Sequence, residues 1–446
     1  MSASAAEPSE GGRFSFIVRA LKYRNYRLFF GGQIVSLIGN WMTNVATSWL
    51  VYRLTGSAWM LGVVGFAGQI PSFVLAPFAG LVVDRVNKHR MLVVTQTLAM
   101  LQSFSLAAMT LSGHATVAGL IFLNVVDAVI TAFDMPLRQS FIVDMIEKKE
   151  DLGNAIALNS SMVNAARLVG PAIGGLVIAA TGEGWCFFLD GLSFLAVIAA
   201  LLAMSIVARP PRPPHAGGAL AEMREGWNYT SRPGPIRSII LLLALVSLVG
   251  VPYTVLVPVF AGQILHGGPH TLGLLMASAG TGALTGAIWL ASRRSVLGLG
   301  RVIPISAALF GIGLVGFSLS RTLWLSVPLL LIAGAGFMTQ MAASNTIVQT
   351  IVDDDKRGRV MSFFMMSILG AAPFGSLLAG SLAERYGAPK TLSVGGILCL
   401  AGAAWFARGL SDLRAAIRPI YRRMGILPQA AAAVEASGRI LFETRG

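Results

Sequence analysis

The chain has 446 residues, 55% of them hydrophobic and only 12% charged, with a mean hydropathy of +0.71. Soluble domains carry roughly a quarter charged residues, so this composition leaves too little polar surface for a water-exposed body and requires a bilayer as solvent. The net charge of +14 does not signal nucleic-acid binding, because the cations fall in connections on one side of a membrane.

A spanning helix needs about 20 mostly apolar residues. In chain order the sequence predicts spans at 28–52, 58–83, 91–112, 115–136, 152–180 and 185–207. Six more follow at 238–264, 271–292, 302–320, 322–350, 360–383 and 390–407. The expectation is an all-α integral membrane protein of twelve transmembrane helices. Its parts are an amino-terminal segment 1–27, a six-helix bundle 28–207, a central loop 208–237, a second bundle 238–407 and a tail 408–446. Residues 1–27 hold no apolar core before a cleavage site, so no secretory signal is read there. The loop opens on the Pro/Gly run RPPRPPHAGG, and its second part could form a short amphipathic surface helix.

Of the 34 Lys and Arg residues, 29 lie in the segments on the side that carries both termini and 4 on the other, with Arg167 inside a span. The positive-inside rule puts both termini in the cytoplasm and fixes an even number of spans. The two halves resemble one another. Residues 142–182 slide onto 347–387 without gaps, aligning Gly153/Gly358, Gly170/Gly375, Gly175/Gly380 and Gly182/Gly387, and pairing span 5 with span 11. Two parallel, pseudo-symmetric six-helix halves are an architecture of secondary transporters, with the substrate cavity between them near the midplane.

Span 1 carries Gln33, Ser36, Asn40, Thr43, Asn44 and Thr47 at spacings of mainly three and four. Such a stripe faces protein or a water-filled cavity, not lipid. Cavity lining is the functional reading, interhelical hydrogen bonding the structural one. Trp41 and Trp49 are read either as cavity aromatics or as packing, with Tyr253, Gln340 and Asn345 as weaker second-half counterparts.

Asp127 and Arg167 are the charges deepest in the apolar segments, with Asp134 close to a span end and Asp190 read as a structural acceptor. On neighbouring spans they lie about 18 Å and about 20 Å from the same face, at 1.5 Å per residue. A buried pair is therefore expected, acting as a protonation switch or as a static link. Asp134 is the next proton-coupling candidate. The five histidines lie in connections without metal-ligand spacing, and Cys186 and Cys399 sit in apolar stretches. No phosphate-binding glycine loop is present and no cofactor is expected, so an ion gradient is the energy source left.

Two motifs carry a family resemblance. GLVVDRVNKHR places Gly80 four residues before Asp84, followed by Arg85, Lys88 and Arg90. RLVGPAIGG places Gly170, Pro171, Gly174 and Gly175 in span 5. The first resembles the loop 2–3 gating signature of the major facilitator superfamily, with Asn87 for its second glycine and His89 for one basic residue. The second resembles that superfamily's antiporter signature, with Ala166 for its first glycine. SLIGNWMTNVATSWLVYRLTGSAWMLG and AFDMPLRQSFIVDMI resemble the branch containing enterobactin exporters and macrolide-efflux proteins. The resemblance implies a major facilitator fold in a plasma (inner) membrane, and a transporter, not an enzyme. It also implies a monomer and proton-coupled export of a small lipophilic molecule. A lipid or lysolipid transporter is the alternative within transport; an integral-membrane enzyme or signalling protein lacks any catalytic cluster here.

Overall fold

The computed structural model describes residues 19–83, 85–205, 228, 230–231, 234–293, 295–353 and 356–423. The central loop, with its expected amphipathic helix, falls almost wholly outside them, as does Asp84. The first half is α1 Arg24–Thr55, α2 Ala58–Ala67 continued as Ile70–Val83, α3 Lys88–Leu111, α4 Val117–Met145, α5 Lys149–Thr181 and α6 Glu183–Leu202. The second is α7 Pro235–Val249 continued as Tyr253–Val259, α8 Pro269–Ala291, α9 Leu299–Leu319, α10 Leu323–Ile351, α11 Arg357–Leu369 continued as Ala371–Tyr386, and α12 Ala388–Arg408. A further helix, α13, spans Leu410–Arg423.

Eleven helices are long and apolar enough to cross a bilayer on composition alone. The twelfth, α1, has 32 residues; its polar stripe, not its length, sets it apart. Phe122, Leu176, Leu202, Leu319 and Trp324 are 65–89% exposed, which only a lipid environment accommodates along the flanks of a bundle. The protein is a multi-pass membrane protein.

The helices outrun their apolar cores mostly at the face bearing the chain ends, here the terminal face. Thus α4 runs to Met145 instead of stopping at Pro136, because Pro136 is carried inside the helix. At this face an amino-terminal 3-10 turn, Arg19–Lys22, is tied to the first turn of α5. Asp151 receives Arg19, Lys22 at 2.6 Å and the Tyr23 hydroxyl at 2.6 Å. That hydrogen bond holds the Lys22 ammonium above its ordinary value.

The duplication is visible in the glycines. Gly170 lies against Trp41 and Ile38 of α1; its equivalent Gly375 lies against Leu248 and Pro252 of α7. Gly175 of α5 backs onto Gly273 of α8, while Gly380 of α11 backs onto Gly62 of α2. Gly182 and Gly387 end α5 and α11 with φ of +91° and +89°, a left-handed backbone that glycine adopts without strain. Each aligned pair thus performs one job in both halves.

The two halves meet through the Gly175–Gly273 and Gly380–Gly62 contacts, both toward the face opposite the terminal one. Glu384 there accepts from the Ser57 hydroxyl at 3.0 Å and the Trp59 amide at 3.1 Å. Toward the terminal face the second stretch of α2, Ile70–Val83, packs chiefly on α4, and the first stretch of α11, Arg357–Leu369, packs chiefly on α7, each within its own half. The halves are closed on one side and separated on the other.

Candidate functional site

The polar interior of the first half is organised by two carboxylates. Asp134 on α4 is 3% exposed. It accepts from Thr95 Oγ1 at 2.7 Å and Gln96 Nε2 at 2.8 Å on α3, and it ion-pairs with Arg138 one turn along α4. Arg138 Nη1 in turn donates to Gln33 Oε1 on α1 at 2.9 Å. Three helices are stitched by one network. Asp134 is therefore a bundle-interior anchor, a correction to its expected helix-end role. Asp190 on α6 accepts from Thr43 Oγ1 at 3.0 Å and Ser103 Oγ at 2.8 Å, linking α1, α3 and α6.

Asp127 stands two turns before Asp134 on the same face of α4, about 10.5 Å away along the axis. It makes no hydrogen bond or ion pair among the described residues, and Asp134, Arg138 and Asp190 are the charges close enough to act on it. The expected Asp127–Arg167 pair is not formed. The reason is tertiary: α5 packs chiefly on α1 and α8, whereas α4 packs on α2 and α3, so helices adjacent in sequence barely touch.

Arg167 instead lays its guanidinium over the Trp41 ring, 5.3 Å from the centroid. Its Nε is buried without an acceptor. Gly280 of α8 backs onto its carbonyl oxygen, and Tyr253 of α7 is close enough to act on it electrostatically. Inserting Arg at mid-membrane costs about 2.5–3.5 kcal/mol on the mildest scale. A desolvated cation–π contact returns about 2 kcal/mol. The charge is left short of compensation by the protein itself.

The polar stripe of α1 divides. Gln33, Ser36 and Thr47 are buried, Gln33 and Thr43 are engaged inside the bundle, and Asn40 and Asn44 are exposed. In the second half Gln340 is fully buried with neither amide atom partnered, so like Gln33 it borders no open space in this conformation. Asn345 accepts from Gln349 at 3.0 Å, and the Tyr253 ring packs edge-on against Phe310.

In the gating motif Arg85 and Arg90 are exposed. Lys88 pairs with Asp144 of α4 at 3.6 Å, within its own half. Asn87, where the family carries glycine, caps α3 by accepting from the Arg90 amide at 3.1 Å. Among the described residues nothing lies within 4 Å of where a Cβ on Gly80 would stand. The antiporter motif splits its contacts: Gly170 and Gly174 seat α1, and Gly175 seats α8 of the other half. Pro171 is accommodated inside the continuous α5.

Sequence reasoning missed Thr95, Gln96, Ser103 and Arg138. Arg138 was counted as a loop cation, yet its place four residues after Asp134 is the spacing of a helical ion pair, hidden by reading Pro136 as a stop. Among the described residues no group of three or more His, Cys, Asp or Glu side chains could hold a metal ion.

Twelve spans in two duplicated halves, with polar networks buried inside and apolar side chains facing lipid, define a transporter of the major facilitator fold. Solved structures agree on the fold. A nucleoside transporter superposes with a TM-score of 0.67 at 13% identity, covering 88% of this chain and 99% of that one. A bacterial homologue of the human lysosomal transporter Spinster, inward-facing and unoccupied, also gives 0.67, at 16% identity and 90% and 98% coverage. The family model for transmembrane secretion effectors matches residues 18–420, and the chain belongs to that family.

Its relatives are transporters, not enzymes. The staphyloferrin A transporter of Staphylococcus aureus is 26% identical over 385 residues, 85% of this chain and 95% of the relative. The multidrug efflux pump Tap of Mycolicibacterium fortuitum is 25% identical over 390 residues, with 85% and 95% coverage. Macrolide efflux protein A of Streptococcus pyogenes is 23% identical over 404 residues, with 85% and 96% coverage.

Proposed function

We propose that this protein is a proton-coupled exporter of small, at least partly lipophilic molecules, working by alternating access in the plasma (inner) membrane with both termini cytoplasmic. The names of its relatives support export of a drug, siderophore or similar metabolite. The glycine-mediated closure of one face, with the other face separated, supports rocking of one half against the other. The terminal face, which carries the excess of cations, is then the cytoplasmic one.

The observation that carries the coupling is Asp127, a carboxylate well inside a span with no ion-pair partner among the described residues. Next to it Asp134 is held by Thr95, Gln96 and Arg138. A fixed, compensated acid beside an uncompensated one divides the labour: Asp134 orders the bundle, and Asp127 takes and releases the proton. Arg167 stays charged throughout.

Purified protein in liposomes with an imposed pH gradient, offered a panel of lipophilic acids, neutral molecules and amines, tests this. Proton flux accompanying any transported compound should fall at least tenfold in Asp127→Asn, while downhill movement persists. Undiminished coupled flux in the variant removes Asp127 from the mechanism.

A further inference from the structure

We infer that the transported molecule carries an acidic group, and that this group docks on the Arg167 guanidinium between the two halves. The inference rests on the transport reading above and names the chemical class of the cargo.

Arg167 lies in the middle of α5, roughly 27 Å from its start and roughly 21 Å from its end at 1.5 Å per residue. Arg138, inside α4, has Asp134 as its carboxylate partner, and even Arg53, at the exposed end of α1, has Glu183 at 2.8 Å. Arg167 has none among the described residues, and its Nε is buried with no acceptor. A cation kept at that depth needs a counter-charge at some stage of the cycle. The deep acid expected to answer it, Asp127, is on a helix that barely packs against α5.

The surroundings are those of a ligand subsite. Trp41 of α1 supplies an aromatic face beneath the guanidinium. Tyr253, in the first turn after the break in α7, belongs to the opposite half and packs its ring on Phe310. Gly280 of α8 lets the other half close onto the backbone of Arg167 itself. A planar guanidinium binds a carboxylate through two parallel hydrogen bonds. Because α8 of the other half rests on the backbone of Arg167, an acidic group held there sits at the seam between the halves, where binding couples to their movement. The same field repels amines, which is how a site discriminates by charge.

The test uses the full-length protein in nanodiscs and three matched nitroaromatic quenchers of tryptophan fluorescence: para-nitrophenylbutyrate, its methyl ester and the corresponding amine. The acid should quench saturably and bind at least tenfold more tightly than the ester or amine. Selectivity should vanish in Arg167→Gln and survive in part in Arg167→Lys, and Trp41→Phe should remove the signal. Ester or amine binding as tight as the acid, or no acid-selective quenching in the wild type, overturns the assignment.

Arg167→Met supplies a ligand-free control. It should melt at or above the wild-type temperature, since it removes an uncompensated charge. A large drop would show that the protein already balances Arg167, and would also overturn the inference. Proton-coupled export of amines but not acids would sink this inference alone and leave the transport reading standing.

Discussion

A buried carboxylate is stable where its lone pairs are filled and its charge is answered. Asp134 meets both conditions through Thr95, Gln96 and Arg138. Removing either partner leaves the other as a buried charge, which typically costs 3–5 kcal/mol, of order a few hundred-fold or more in the folded ratio. Asp134→Asn and Arg138→Gln should therefore each lower thermal stability sharply. The Asp134→Asn/Arg138→Gln double variant should recover much of the loss, because neutral amides can re-form the network. A double-mutant cycle on melting in detergent reads this directly, and strictly additive losses would contradict it. The residues that a sequence makes legible are the charges themselves: Asp127, Asp134, Arg167 and Asp190 all stood out in apolar runs. Their partners did not, because Thr95, Gln96 and Ser103 look like any small polar residue until a neighbouring helix brings a carboxylate to them.

Elements were easier to read than their packing. Span positions, the division into halves and the repeat that joins α5 to α11 follow from hydropathy and glycine spacing. What spacing does not encode is which helix lies beside which, so the Asp127–Arg167 pair was expected on helices that turn away from one another. The tail was read as loop. Yet Leu413, Ile417 and Tyr421 recur every four residues and are buried, packing α13 onto the second half; the arginines between them were read only as topology. The repeated glycines make a prediction at this scale. A Cβ on Gly175 would stand 2.8 Å from the Pro269 carbonyl oxygen and 2.9 Å from Gly273 Cα, both backbone atoms that cannot step aside. On Gly380 it would meet Ala58 O and Gly62 Cα at 2.8 Å. Overpacking of this kind costs about 1–3 kcal/mol, which shifts a two-state equilibrium roughly 5- to 150-fold. Gly175→Val and Gly380→Val should each insert normally but populate the state open at the face opposite the chain ends. Spin-label distances across α5/α8 and α2/α11 should lengthen by the same sense in both variants. Unchanged distances would mean that these contacts do not hold that face shut.

At the scale of the whole molecule, the charge distribution and the conformation bear on each other. With 29 of 34 Lys and Arg residues on the terminal side, the positive-inside rule predicts a cytoplasmic terminal face, and under the proposed function the separated face is the one that cargo enters. Orientation is directly measurable, because the native thiols form a silent background: Cys186 and Cys399 are both 0% exposed. A cysteine introduced at Gly217, in the central loop, should react with a membrane-impermeant maleimide only in inside-out vesicles. One at His270, exposed at the start of α8, should react only from outside in intact cells. The two sites lie on opposite sides of α7, so a single inverted result cannot arise from the charge rule failing locally; both must invert together. If they do, the terminal face is external, the open side of this structure faces out, and the export direction proposed for Asp127 and Arg167 reverses with it. If both label as expected, the closed glycine contacts at Gly62, Gly175, Gly273 and Gly380 form the barrier on the external side.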